Sequence, residues 1–134
     1  MSPAHPRAQR ILVIDDEVKF CSIVETFLVG RGYDVTTAST SRDALAQMER
    51  FHPDVILMDI VMPGLSGLEL LKLARERAFP PRVIMVTATA EGQAVEQAMC
   101  DGAEAYMCKP VDLNALERVI SGIWPAAKDE GAPP

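Results

Sequence analysis

The chain has 134 residues, 24% of them charged and 49% hydrophobic, which is ordinary for one globular domain. Its formal net charge of −6 argues against direct nucleic-acid binding, because phosphate backbones require clustered Lys and Arg side chains. No apolar run approaches the roughly eighteen residues of a membrane span, and the N-terminus lacks the apolar core of a signal peptide. We therefore expect a cytoplasmic protein without membrane contact.

Short apolar runs alternate along the chain with segments of helical periodicity. Strands are predicted over residues 11–14, 33–38, 55–58, 82–87 and 103–108, the second of them as an edge strand because it is rich in threonine. Helices are predicted to begin at Val18, at Thr40 or Ser41, at Ser66, near Gly92 and at Asp112. Strands that alternate with helices in this way indicate an α/β fold with a parallel sheet.

The predicted elements define one domain over residues 10–124, preceded by a flexible N-terminus over residues 1–9. Residues 125–134 are small, polar and rich in proline, so we expect a disordered tail or the start of an interdomain linker. Whether the chain stands alone or is a piece of a longer protein is left open.

Cysteines and histidines give little sign of a metal or redox site. His5 and His52 have no acid or cysteine at ligand spacing, which argues against zinc. The three cysteines form no C-x-x-C pair, so we expect free and mostly buried thiols at Cys21, Cys100 and Cys108.

Polar residues follow the predicted strands where each apolar run ends. The first strand ends in Asp15-Asp16, the third in Asp59, the fourth in Thr87 and the fifth in Lys109. Ligands of open α/β sheets bind outside the carboxyl ends of the strands, so we expect these side chains to converge. Two carboxylates about 4 Å apart repel by roughly 4 kcal/mol at an effective dielectric constant near 20, and Mg²⁺ would relieve that repulsion. We therefore interpret Asp59 as a phosphate acceptor supported by metal.

Each of these residues also has an ordinary structural interpretation. Asp15-Asp16 alone could be a helix N-cap, Thr87 a polar strand end and Lys109 a solvated charge. Tyr106 on its own evidence is a core residue. The joint placement of the acids, the threonine and the lysine at the ends of different strands favours a functional site.

Residues 10 to about 124 resemble the receiver domain of two-component response regulators. The resemblance rests on I-L-V-I-D-D-E, L-M-D-I-V-M-P-G-L-S-G-L-E-L, V-T-A and G-A-E-A-Y-M-C-K-P. It implies a flavodoxin-like, doubly wound sheet of five parallel strands in the order 2-1-3-4-5 with five helices, an order also found in a chemotaxis member of the family.

The resemblance also implies a metal site and an acceptor. Asp59 would be the phosphorylated aspartate. Asp16 and Asp59 would bind Mg²⁺ directly, with Mn²⁺ as a substitute, while Asp15 would act through water and the Val61 backbone carbonyl would be a further ligand.

Phosphate binding and switching are implied for residues near the last two strands. Thr87 and Lys109 would contact the phosphoryl group, Ala88 would leave room for it, and Thr87 and Tyr106 would form the switch. The Lys109-Pro110 bond would be cis. Val61 and Thr89 stand where rapidly dephosphorylating members carry amide or acidic side chains, so we expect a long-lived phosphoryl group.

The implied function is a phosphoacceptor switch rather than an enzyme. Its donor would be a sensor histidine kinase or a histidine phosphotransfer protein, and its output or homodimer face would combine the fourth helix, the fifth strand and the fifth helix. The alternatives are an Asp-nucleophile hydrolase, a flavin or nucleotide binder, and a degenerate receiver that acts as a phosphorylation-independent interaction module. The first would want D-x-D-G-T after the first strand, and the second a Gly-rich loop there, where this chain has D-D-E.

Overall fold

Ten elements alternate along the part of the chain that the computed structural model describes, residues 9–88 and 92–123. The strands are β1 (Arg10–Ile14), β2 (Asp34–Ala38), β3 (Val55–Met58), β4 (Arg82–Thr87) and β5 (Ala105–Cys108). The helices are α1 (Val18–Val29), α2 (Ser41–Phe51), α3 (Gly67–Arg75), α4 (Gly92–Cys100) and α5 (Leu113–Ile123). The predicted α/β class is confirmed, and each element lies within a few residues of its predicted position.

The strands form one parallel sheet in the order β2-β1-β3-β4-β5, as predicted. Ile14 at the end of β1 pairs with Ala38 of β2 on one side and with Met58 of β3 on the other. Because these parallel strands end together, the residues that follow them emerge at the same edge of the sheet.

Helices bury both faces of the sheet, so the central strands β1, β3 and β4 carry continuous apolar runs rather than alternating patterns. The edge strand β2 is more polar and contains Asp34, Thr36 and Thr37. One face packs against α2, α3 and α4, whose buried side chains are Ala44, Met48, Leu70, Leu71, Ala74 and Ala98. The opposite face packs against α1 and α5, whose buried side chains are Cys21, Val24, Leu28, Leu116 and Ile120. Full burial of a Leu or Ile side chain stabilises the fold by about 1.5–3 kcal/mol.

Side-chain caps begin three of the helices at the predicted positions. The Thr40 hydroxyl accepts a hydrogen bond from the Asp43 N–H at 3.1 Å, and Ser66 forms a reciprocal capping box with Glu69. The Asp112 carboxylate accepts from a backbone N–H in the first turn of α5 at 2.9 Å. Each cap satisfies a backbone donor that would otherwise lack a partner and contributes about 1 kcal/mol.

The prediction of mostly buried cysteines is wrong for two of the three. Only Cys21 is buried, and its burial raises the pKa of its thiol to about 11. Cys100 is exposed because it is the last residue of α4, and Cys108 is exposed because it ends β5 at the open edge of the sheet.

The ends of the chain lie outside the described residues. The flexible N-terminus predicted over residues 1–9 falls there apart from Gln9, as do Trp124 and the tail predicted over residues 125–134. Among the described residues, no helix combines the length and apolar character that crossing a membrane requires.

Candidate functional site

The predicted site lies at the edge where the parallel strands end. Asp15 and Asp59 directly follow Ile14 and Met58, which are paired residues of neighbouring strands. The Asp59 N–H donates to the Ile14 carbonyl at 3.1 Å, which extends the β1–β3 pairing to the first residue beyond β3. Ladder geometry therefore places the two carboxylates side by side.

One lysine, Lys109, forms ion pairs with acids that are far from it in the sequence. The Lys109 ammonium lies 2.7 Å from an Asp15 oxygen, 3.2 Å from an Asp59 oxygen and 3.6 Å from a Glu17 oxygen. Its own backbone N–H donates to the Thr87 carbonyl at 2.9 Å, which continues the β4–β5 pairing beyond β5. The Lys109-Pro110 peptide bond that follows is cis, as predicted.

The acids form a donor set that suits a hard divalent cation. Asp15, Asp16 and Asp59 each offer a carboxylate oxygen, and these oxygens lie within 4.8 Å of one another. Asp15 and Asp59 are only 1% and 7% exposed, whereas Asp16 is exposed at the rim. Carboxylate oxygens with one open side are the donor set that Mg²⁺ takes, with water and phosphate oxygens as its remaining ligands.

Among the described residues at this edge of the sheet, the acidic side chains outnumber the one ammonium group that contacts them. Burial raises the pKa of Asp15, and the hydrogen bonds from Lys109 and from the Glu17 N–H only partly offset it. Burial lowers the pKa of Lys109, but its hydrogen bonds to Asp15 and Asp59 outweigh burial and the net pKa is raised. The lysine is thus held as a cation, and it is one positive group beside the clustered carboxylates of Asp15, Asp16 and Asp59, whose mutual repulsion a divalent ion would relieve.

The loop after β3 is held close to Asp59 by its own backbone. The Val61 N–H donates to an Asp59 carboxylate oxygen at 3.2 Å, while the Val61 side chain is 66% exposed. Gly67, the first residue of α3, donates its N–H to the Ile60 carbonyl at 2.8 Å. A Cβ on Gly67 would overlap the Asp59 carbonyl oxygen, so the start of α3 is packed directly on the acceptor's backbone.

The predicted switch residues lie on β4 and β5. Thr87 is completely buried, and Ala88 is exposed beside it at the rim. Tyr106 pairs with Met85 and packs half-buried against the core on that face of the sheet. A hydrogen bond with the Cys108 side chain raises the pKa of the Tyr106 hydroxyl. Thr89 lies outside the described residues.

Three contributors to this site were not recognised from sequence. Gly67 and Phe20 were assigned no part in the site, yet Gly67 packs on the Asp59 backbone and the Phe20 ring centroid lies 4.5 Å from the Lys109 ammonium. Glu17 was assigned no role. Its place directly after two aspartates is the one local signal that could have marked it.

Comparison with known proteins assigns the chain to a family. The family described as response regulator receiver domain matches residues 11–121. Regulatory protein AtoC of Escherichia coli K12 is 37% identical over 111 residues, covering 83% of this chain and 24% of AtoC. The alkaline phosphatase synthesis transcriptional regulatory protein PhoP of Bacillus subtilis is 36% identical over 115 residues, covering 84% of this chain and 48% of PhoP. The chain thus spans about a quarter to a half of these relatives.

Solved structures share the whole fold. A CheY-like receiver domain protein from Methanospirillum hungatei JF-1 superposes with a TM-score of 0.87 at 31% identity, over 92% of this chain and 99% of that one. The receiver domain of a putative Luxo repressor protein from Vibrio parahaemolyticus gives 0.85 at 26% identity, over 92% and 95% of the two chains. Sequence match, strand order and the acidic strand ends together show that this chain belongs to the receiver domain family of two-component response regulators.

Proposed function

We propose that Asp59 accepts a phosphoryl group from a phosphohistidine on a sensor kinase or phosphotransfer protein. The observation that carries the proposal is the convergence of three carboxylates and one ammonium at the carboxyl edge of the sheet, with Lys109 in contact with both Asp15 and Asp59. These groups are the parts that phosphoryl transfer to a carboxylate requires, so they also favour phosphorylation over an interaction-only role.

In the proposed reaction, an oxygen of the Asp59 carboxylate bonds to phosphorus while the bond from phosphorus to the donor imidazole nitrogen breaks. The product is an acyl phosphate on Asp59, and the donor leaves as a neutral histidine after taking up a proton. Lys109, 3.2 Å from Asp59, is placed to move its hydrogen bond from the carboxylate to a phosphoryl oxygen. Asp15, Asp16 and Asp59 would hold Mg²⁺, which when bound neutralises charge on the phosphoryl oxygens.

The new negative charge would then act on β4 and β5. Thr87 is the buried residue at the end of β4, and its hydroxyl is the proposed donor to the phosphoryl group, with Ala88 leaving space beside it. Movement of Thr87 would change the packing beside Tyr106 on the same face of the sheet, shifting a pre-existing equilibrium between two states.

The output surface is proposed on α4, β5 and α5, and it is also where a homodimer would form. Among the described residues of α4 only Ala98 is buried, so this helix is held by few apolar contacts and is the element most easily displaced. Gln93 and Gln97 are exposed there and available to a partner, whereas Ala94 is half-buried and packs against the core.

The donor is proposed to be a cytoplasmic protein. The rim beside Lys109 carries an exposed apolar surface with a cavity of about 500 Å³ between α1 and the start of α5, lined in part by Phe20, Ile23 and Pro110. This surface adjoins Lys109 of the acceptor site, so burial of its apolar groups against the donor would favour a protein carrier of the phosphohistidine.

The proposal is tested by locating the phosphoryl group. The protein is incubated with Mg²⁺ and a small acyl phosphate, the product is reduced with borohydride, and the modified residue is mapped by mass spectrometry. We expect one modified residue, Asp59. Absence of modification, or modification confined to other residues, would contradict the proposal.

Magnesium is expected to stabilise the protein through the acidic cluster. At a free ion concentration 100 times Kd the gain is about 2.7 kcal/mol, equivalent to a rise of roughly 10 °C in Tm for a domain of this size. The Asp16→Asn variant should lose most of this rise, because it removes an exposed ligand without disturbing the core. Glu49→Gln on the exposed side of α2 is the matched control. Equal magnesium dependence in both variants would exclude the proposed metal site.

The phosphoryl group is expected to persist for minutes or longer, because the Val61 side chain cannot orient an attacking water. Val61 is exposed, and its N–H bonds the Asp59 carboxylate, so an amide placed there would sit beside the acyl phosphate. Val61→Asn should shorten the half-life at least about threefold through water positioning. Val61→Ala provides a control without an amide. A wild-type half-life of seconds, or equal decay in the two variants, would refute this expectation.

A further inference from the structure

We infer that Phe20 is a positioning residue that holds the Lys109 ammonium at the acceptor through the face of its ring, whether or not metal is bound. This inference rests on the proposed phosphorylation of Asp59. It assigns to an aromatic residue of α1 a part in a reaction whose other participants all lie at strand ends.

The geometry meets the requirements of a cation–π contact. The Lys109 ammonium lies 4.5 Å from the centroid of the Phe20 ring, within the roughly 6 Å over which such contacts act. The Lys109 side chain is only 14% exposed, and a cation–π contact is stronger when the cation is desolvated. The ring itself is half-buried in the core beneath α1 and α5, so its position is set by packing.

The ring differs from the Asp15 and Asp59 carboxylates in its response to metal. Asp15 and Asp59 attract the ammonium, but they belong to the same cluster that would bind a divalent cation. A divalent cation bound there would offset the negative charge of the carboxylates and would itself repel the ammonium. In the metal-bound protein the carboxylates would therefore attract Lys109 less strongly. The Phe20 ring carries no net charge and cannot ligate the metal, so its attraction for the ammonium remains.

Removal of the ring should therefore slow phosphorylation. With a small acyl phosphate as donor, which needs no protein docking surface, we expect Phe20→Leu to lower the rate constant about threefold to tenfold. Phe20→Tyr keeps the ring face and should retain most of the wild-type rate. Phe27→Leu is the matched control, because Phe27 lies on the same helix and in the same core cluster but faces Arg31, 4.7 Å from its ring centroid.

A double-mutant cycle separates positioning from a merely structural role. Phe20→Leu should slow the reaction when Lys109 is present and have no further effect in a Lys109→Ala background. If Phe20 only supports the fold, the same substitution slows both backgrounds equally, and the inference is wrong.

A second readout does not depend on phosphorylation. Side-chain methylene protons of Lys109 should show an upfield ring-current shift in NMR spectra of the wild type, with and without saturating Mg²⁺. Phe20→Leu should abolish the shift and Phe27→Leu should keep it. A wild type that takes no phosphoryl group, yet shows this shift, would overturn the proposed function and leave the position of Lys109 confirmed. Lys109 resonances that do not respond to Phe20→Leu would overturn the inference itself.

Discussion

Asp59→Asn protein is expected to gain no phosphoryl group from an acyl phosphate in the presence of Mg²⁺, whereas the wild type gains one. The amide is a poor nucleophile, and the neighbouring acids are poor substitutes. Asp15 is 1% exposed and bound by Lys109, and Asp16 is exposed at the rim. We expect the rate to fall by at least about a hundredfold, measured as the increase in intact mass with time.

The Asp59→Asn variant should retain the native fold. The substitution removes the Lys109–Asp59 ion pair, which lowers stability, and also removes one of three clustered negative charges, which raises it. These effects oppose each other, so we expect the free energy of unfolding in the absence of metal to change by no more than about 1 kcal/mol. Glu49→Gln, an exposed acid on α2, should label like the wild type. Undiminished labelling of Asp59→Asn would remove Asp59 from the mechanism.

Gly67→Ala is expected to destabilise the domain by about 3 kcal/mol, at the upper end of the usual cost of overpacking. The new Cβ would overlap the Asp59 carbonyl oxygen and approach the Ile60 Cα to 2.8 Å. Both contacts are with backbone, which has no alternative rotamer, so the start of α3 has to move away from β3. The loss is measured by denaturant unfolding, and a fall of roughly 10 °C in Tm should accompany it.

The Gly122→Ala substitution is expected to have the opposite effect on stability. Gly122 is an exposed residue of α5, and among the described residues no heavy atom beyond its chain neighbours and its own helix backbone lies within 4 Å of a Cβ built there. Alanine should therefore raise the stability of the helix by about 0.5–1 kcal/mol. A Gly67→Ala variant as stable as the wild type would show that α3 is not held against the acceptor, and equal losses at both glycines would point to a general intolerance of substitution.

The overall fold was predictable because its signals are local. Apolar runs of four to six residues, such as residues 55–58, can only be buried on both faces, and this property indicates a parallel sheet covered by helices. Caps at Thr40, Ser66 and Asp112 depend on the next few residues alone, and all three lie where they were predicted. The exposure of Cys100 and Cys108 was not predictable in the same way, because it depends on where α4 ends and on β5 lying at the edge of the sheet.

The identities of the acids, the threonine and the lysine, and their places at strand ends, follow from the sequence alone, since each is marked by the end of an apolar run. The distances between these side chains do not follow from the sequence. Lys109 and Asp15 are 94 residues apart, and their 2.7 Å contact depends on strand order and register, which are properties of the assembled sheet. The same is true of the Phe20 ring beneath Lys109 and of Gly67 against the Asp59 backbone. Periodicity determines which face of an element is buried, but packing between elements determines which atoms meet.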